Sequence, residues 1–206
     1  MGIVIKQSLR SSVISYLGVA IGFVNVLWLY PYYLSTEQVG LFRLIQSAAY
    51  LLATFGQLGI SQSFVKFFPK YKEEKGFLVA AVLGTLMGFL ILAVITLIFK
   101  ASIVEYFSKE SALFVEYFGL TLMITLLLIL FQLLEAYSRS LLRITVPTFL
   151  KDIGLRVLTT ISLLCYGFQL IDFNSLVYSL ILIYGLVLLA LIIHFIAQKK
   201  LPISAN

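Results

Sequence analysis

The sequence predicts an all-α integral membrane protein: a bundle of six transmembrane helices with both termini in the cytoplasm. Three observations predict it. Hydrophobic residues make up 61% of the 206 residues and charged residues only 12%, about half the charged share of a soluble domain. Six apolar runs reach the roughly 20 residues that a bilayer core requires of a helix. They are about 11–34, 39–67, 77–99, 112–137, 146–170 and 173–197, and together they make residues 1–197 one six-helix lobe. Finally, if the chain crosses six times, the side holding the N-terminus takes 12 of the 15 basic residues and the other side takes only Arg43, Lys100 and Lys109. Positively charged loops stay inside, so the first side is cytoplasmic.

Other classes are excluded on the same grounds. The net charge of +6 does not mark a nucleic-acid binder, because the basic residues cluster at the ends of apolar segments. The one cysteine, Cys165, lies inside an apolar run, which leaves no disulfide framework and no thiolate metal site. His194 is a lone histidine, whereas a metal site needs several ligands at defined spacing. No glycine-rich phosphate loop, nucleophile elbow or Cys/His cluster occurs, so neither a catalytic residue nor a cofactor is expected and the chain is not read as an enzyme. The start, MGIVIKQSLRSSVISYLG, lacks a small-residue cleavage site, and the first span is expected to stay as an anchor.

Each span has its own signals. Pro31 is expected to bend or end the first helix. Ser35-Thr36-Glu37-Gln38 has capping-box spacing and predicts a fresh helix start. The second span reads as one long helix over 39–67. At about 100° per residue, its Arg43, Gln46, Ser47, Tyr50, Thr54, Gln57 and Ser61 fall within roughly 60° of one line, with Ala48, Leu52, Phe55 and Gly59 opposite. Phe67, Phe68 and Tyr71 alternate with Lys66, Lys70 and Lys72 at its inner end, which suits the headgroup level. The third helix is apolar, with a Gly84-xxx-Gly88 pair fit for close helix contact. Pro69 and Pro147 mark helix ends. The sixth helix is apolar apart from Asn174, Tyr178 and Gly185.

Polar stripes separate the helices into two kinds. The first helix carries Ser8, Ser11, Ser15, Gly18, Gly22 and Asn25 on one line; the fourth, Thr121, Thr125, Gln132, Glu135 and Arg139; the fifth, Thr148, Asp152, Arg156, Thr159 and Tyr166. A charge at membrane depth costs at least about 2.5–3.5 kcal/mol and usually faces protein or water. Helices one, two, four and five are therefore expected to surround a polar cavity. Arg43 has two readings, a guanidinium snorkelling outward and an anion-binding group whose planar fork suits phosphate. Asn25, Gln46, Tyr50 and Gln57 are candidate substrate or cavity residues; for Asn25, Gln46 and Gln57 the alternative is interhelical hydrogen-bond glue. Glu135 and Arg139 stand four apart, near Gln132, and read either as an interfacial ion pair or as an ion-coupling or gating group. Asp152 and Arg156 have the same spacing and read as a structural pair.

The opening IKQSLRSSVISYLGVAIGFVNVLWLYPYYLSTEQVGLFRLIQSAAYLLATFGQLGISQSFVKFFPKYK, followed by LLEAYSRSLLRITVPTFLKDIGLRV, resembles the polysaccharide flippase branch of the multidrug/oligosaccharidyl-lipid/polysaccharide exporter superfamily. The resemblance implies the N-terminal lobe of a two-lobe transporter. It implies movement of an undecaprenyl-pyrophosphate-linked oligosaccharide across a bacterial inner membrane by alternating access, for surface polysaccharide such as lipopolysaccharide. It also implies a cationic cavity, to which Arg43 and Gln46 are carried over by position. Expected partners are the lipid-linked oligosaccharide, membrane lipids and a second six-helix lobe in the same chain or a partner chain. The tail Gln198–Asn206 reads as the start of an interlobe linker. Two alternatives stand beside this reading: a drug or cation exporter of the same superfamily, and a non-transporting membrane scaffold or assembly protein.

Overall fold

A computed structural model of the chain describes residues 3–71, 76–100, 102, 105 and 112–197. Lys72, Lys75, Lys109 and the tail 198–206 lie outside them. Every element among the described residues is helical. They run α1 (Ile3–Val24), a π-helical turn (Asn25–Leu29), α2 (Tyr30–Tyr33), α3 (Thr36–Gly56), α4 (Ile60–Tyr71), α5 (Gly76–Ile98), α6 (Ala112–Glu116), α7 (Phe118–Ser140), α8 (Thr145–Phe149), a second π-helical turn (Leu150–Gly154), α9 (Leu155–Gly167) and α10 (Phe173–Ala197). Five helices are long and apolar enough to cross a membrane: Gln7–Tyr33, Thr36–Gly56, Gly76–Ile98, Phe118–Ser140 and Phe173–Ala197. The helical run 145–167 is of comparable length, but Lys151, Asp152 and Arg156 fall in its first half, so it lacks the apolar composition of the other five.

The chain divides into two compact units: residues 1–36 with 134–206, and residues 37–133. In the first unit the core gathers on α10, where Leu176, Val177, Leu180, Ile183, Leu191 and Phe195 are almost wholly buried. Tyr137 packs its ring against Phe195 with centroids 5.2 Å apart. The first span does not end at Pro31. The π turn delivers the Tyr30 N–H to the Asn25 carbonyl, five residues back. Pro31 follows directly, in the first turn of α2, and the helical backbone continues through it to Tyr33. The outward face of this span, including Leu9, Tyr16, Phe23 and Trp28, is exposed, as suits a helix bathed in hydrocarbon.

In the second unit, α3 starts at Thr36, directly after Ser35 in the capping-box sequence. Its buried face is Leu41, Phe42, Ile45, Ala49, Ala53 and Gly56. This is not the face directly opposite the polar line, for Phe55 is exposed; the core takes the sector nearer Leu41 and Ile45 because that is where the small residues allow close packing.

The single helix expected over 39–67 is in fact two. Gln57, Leu58 and Gly59 form a turn between α3 and α4, with Leu58 at φ 48° and Gly59 at φ 72°. Two successive left-handed residues cannot continue a right-handed helix. Beyond the break, α4 lies along the start of α5: the Phe64 and Phe77 rings stack at 4.8 Å, and Ile60 Cδ1 lies against Gly84. The break itself rests on Gly88, whose missing side chain leaves room for the Gly56 carbonyl oxygen. Gly84 and Gly88 thus make the close contact that their spacing predicts, and the partner is the broken second helix.

Candidate functional site: paired polar stripes and an open arginine face

The polar stripes meet in pairs within each unit. In the first unit, the small-residue line of α1 faces the helical run 145–167. The Ser15 hydroxyl donates to Asp152 Oδ2. Gly18 packs against the Asp152 carbonyl and Gly22 against the Arg156 guanidinium stem, where any Cβ would intrude. The Asn25 amide donates to the Arg156 carbonyl at 3.2 Å, and its Oδ1 accepts from the Thr160 hydroxyl at 2.8 Å. Asn25 is only 3% exposed, so this side chain is held between two helices by both ends of its amide. Of its two sequence readings, the structure gives it the bonds of interhelical glue.

This seam is not fully satisfied. Ser11 Oγ and Arg156 Nη1 are buried without a hydrogen-bond partner among the described residues. Asp152 and Arg156, expected to pair with each other, instead turn to α1: Asp152 accepts from Ser15, and Arg156 lies across the glycines. Glu135 likewise does not pair with Arg139. It meets Lys151 at 3.6 Å, across the turn that joins α7 to α8, while Arg139 is exposed. The i, i+4 spacing made Arg139 reachable, but the hairpin brings a second cation to the same carboxylate.

In the second unit, Gln57 Nε2 donates to Gln132 Oε1 at 2.6 Å, so two of the expected polar residues meet at the α3 break. Ser61, just beyond the break, is 2% exposed and its hydroxyl has no partner among the described residues. Upstream on α3, Arg43, Ser47 and Thr54 are exposed, with Gln46 and Tyr50 half-buried at the border. Among the described residues no carboxylate forms an ion pair with Arg43. Hence the polar line of α3 is open from Arg43 to Thr54 and closed at Gln57.

Sequence reasoning missed Thr160, Lys151 as the partner of Glu135, and the pairing of Ser15 with Asp152. Thr160 neighbours Thr159 of the expected stripe, and the π turn at Leu150–Gly154 explains the shift. One extra residue in a turn displaces everything after it by about 100° relative to an α-helical wheel.

These features define a class: a multi-pass helical membrane chain whose polar stripes meet in part within each unit, with the Arg43-bearing face of α3 left exposed. No family model, curated protein or solved structure matches this chain.

Proposed function

We propose that the chain is one lobe of a transporter that flips lipid-linked oligosaccharide across a bacterial inner membrane by alternating access. In this reading both termini are cytoplasmic, the run 145–167 is the sixth span, and a second lobe supplies the opposing wall. The observation that carries it is Arg43, an exposed guanidinium on a helix long and apolar enough to cross a membrane, with no carboxylate partner among the described residues. Such a group is expensive in hydrocarbon unless it meets water or an anion. Its fork is suited to two oxygens of one pyrophosphate. Gln46 and Tyr50 follow one and two turns along the same side of α3, as donors and acceptors for water or sugar hydroxyls. Gln57 and Gln132 close the inner end of that strip. Glu135, held by Lys151, has a structural role in this reading and not an ion-coupling one.

The anionic substrate separates this reading from a drug or cation exporter, which calls for an acidic cavity. The test is delivery of surface polysaccharide by the full protein with Arg43→Ala and Arg43→Lys, at matched protein levels in the membrane. Arg43→Ala should abolish most delivery, and Arg43→Lys should restore only part of it, because lysine keeps the charge and loses the fork. Normal delivery by Arg43→Ala would remove Arg43 from the mechanism and favour the scaffold.

A further inference from the structure

Within the first unit, the end of the first span and the turn between α9 and α10 enclose an open pocket of about 510 Å³. Its wall includes Tyr32, Tyr33, Tyr166, Gln169, Leu170 and Asp172. The volume falls within the range of small-ligand sites, about 300–1,000 Å³. Of the polar stripes described above, it takes only Tyr166, the last residue of the fifth helix's line.

The pocket is built from fixed parts. The Tyr32 and Tyr33 rings stand at 89° with centroids 4.8 Å apart, giving two walls at right angles. The Tyr33 ring lies directly on Gly167, where a Cβ would collide with three of its carbons. The turn is a Schellman closure of α9: Leu170 N–H bonds to the Cys165 carbonyl, and Gln169 N–H to the Tyr166 carbonyl. The residue at the left-handed position of this motif is usually glycine, yet here it is Gln169, at φ 59°. Asp172 accepts from the Ser175 N–H at 3.2 Å and so caps α10. The Ser175 side chain, and then its backbone N–H, hold the Asp172 carboxyl below the ordinary carboxylate range, and it carries a negative charge at neutral pH.

We propose that this pocket binds an organic ammonium group, with the tyrosine rings facing the cation and Asp172 as its counter-charge. Three tyrosines and a carboxylate are the recognition set for alkylammonium ions, whose diffuse charge is attracted to aromatic faces. The one formal charge in the lining is negative, which disfavours a phosphate or any other anion. The same chemistry is presented by a soluble amine such as choline and by the ethanolamine headgroup of a lipid. Arg43 is not among the lining residues, and the proposal stands whether or not that residue meets a pyrophosphate.

The test uses the full chain in nanodiscs of phosphatidylglycerol, which lacks an amine, titrated calorimetrically with tetramethylammonium chloride at constant ionic strength. Saturable binding is expected. Tyr32→Ala should weaken it by about two- to thirty-fold, the range of a cation–π contact. Tyr32 is 80% exposed, so its loss does not threaten the fold. Asp172→Asn keeps the helix cap and should weaken binding by about two- to fivefold, as for an exposed ion pair. Gln169→Gly suits the turn and serves as the folded control for a change in the wall. Nanodiscs containing phosphatidylethanolamine assign the source: competition with tetramethylammonium points to a lipid headgroup, and unchanged binding points to a soluble amine. Absence of saturable binding, affinity unchanged from the parent in both Asp172→Asn and Tyr32→Ala, or tighter binding of glucose than of tetramethylammonium would each overturn the proposal.

Discussion

The contact between Gly88 and the helix break gives the sharpest stability prediction, because its neighbour four residues earlier is an internal control. A Cβ on Gly88 would be forced into the Gly56 carbonyl oxygen, with Leu58 Cδ1 a further 3.3 Å neighbour. The obstacle is backbone, and it belongs to the last residue of α3, so relief requires moving a helix or re-forming the turn. Overpacking a tight contact costs about 1–3 kcal/mol, and a backbone obstacle belongs at the upper end. Alanine returns about 0.8–1.0 kcal/mol of helix propensity over glycine, leaving a net loss of about 2 kcal/mol, or roughly thirtyfold in the unfolding equilibrium. At Gly84 the nearest atom is Ile60 Cδ1 at 3.2 Å, the far end of a flexible side chain, so Gly84→Ala should be neutral or slightly stabilising. Unfolding of the purified protein in mixed micelles, followed by circular dichroism against denaturing detergent, separates the two. Equal stability of Gly88→Ala and Gly84→Ala would refute the placement of Gly56 on Gly88, and with it the position of the break.

Three further outcomes follow from the first unit. Asn25→Ala removes both interhelical bonds and should cost about 1–2 kcal/mol in the same unfolding assay, two bonds at the roughly 0.6 kcal/mol membrane average with a ceiling near 1.7 each; Asn25→Ser should recover part of it. A double-mutant cycle on Glu135 and Lys151 should return a coupling of about 0–1 kcal/mol that shrinks with salt, since both side chains are partly solvated. Asp172 has a depressed carboxyl pKa, so its stabilising effect is present above the ordinary carboxylate range and is lost as the pH falls through its folded value. The melting-temperature gap between the parent and Asp172→Asn should therefore narrow on acidification from pH 7 to pH 3; a gap constant across that range would sink the assignment.

What could be read from the sequence was whatever depends on a single helix. Length and apolarity marked six spans, five of which are long and apolar enough to cross a membrane, and Ser35 and Thr36 marked the start of α3; the stripe on α1, expected to line a cavity, packs on a helix instead. What could not be read depends on two helices at once or on a departure from α geometry. Gln57 and Ser61 share a wheel position only if the helix is continuous, and Leu58 carries no hint that it takes a left-handed φ. Gly59 was the available signal, since glycine inside a helical pattern often marks a stop. The partner of Glu135 was invisible because both Arg139 and Lys151 are within reach, and only the hairpin decides. The tyrosine pocket was missed for a related reason: Tyr32 and Tyr33 are separated from Tyr166 by more than a hundred residues.

The two π turns connect these failures to a physical feature of the seam. One begins at Asn25 and the other contains Asp152, so each helix of the pair departs from α geometry where it carries a polar contact. A π turn leaves one carbonyl displaced from its usual donor and rotates the following residues. On the first span the turn hands the Tyr30 N–H to the Asn25 carbonyl, one residue ahead of Pro31. On the partner it shifts the polar line so that Thr160 reaches Asn25 while Thr159 bonds back to the Leu155 carbonyl. Deleting Ile153 removes the one residue that the π turn accommodates, so regular α geometry should return with the 155–167 segment facing the first span as before. Thr160 should keep Asn25, and the Arg156 guanidinium should keep Gly22. The deletion should therefore lower stability by less than Asn25→Ala does in the same unfolding assay, and a larger loss would mean that the π turn is not a one-residue insertion into the seam.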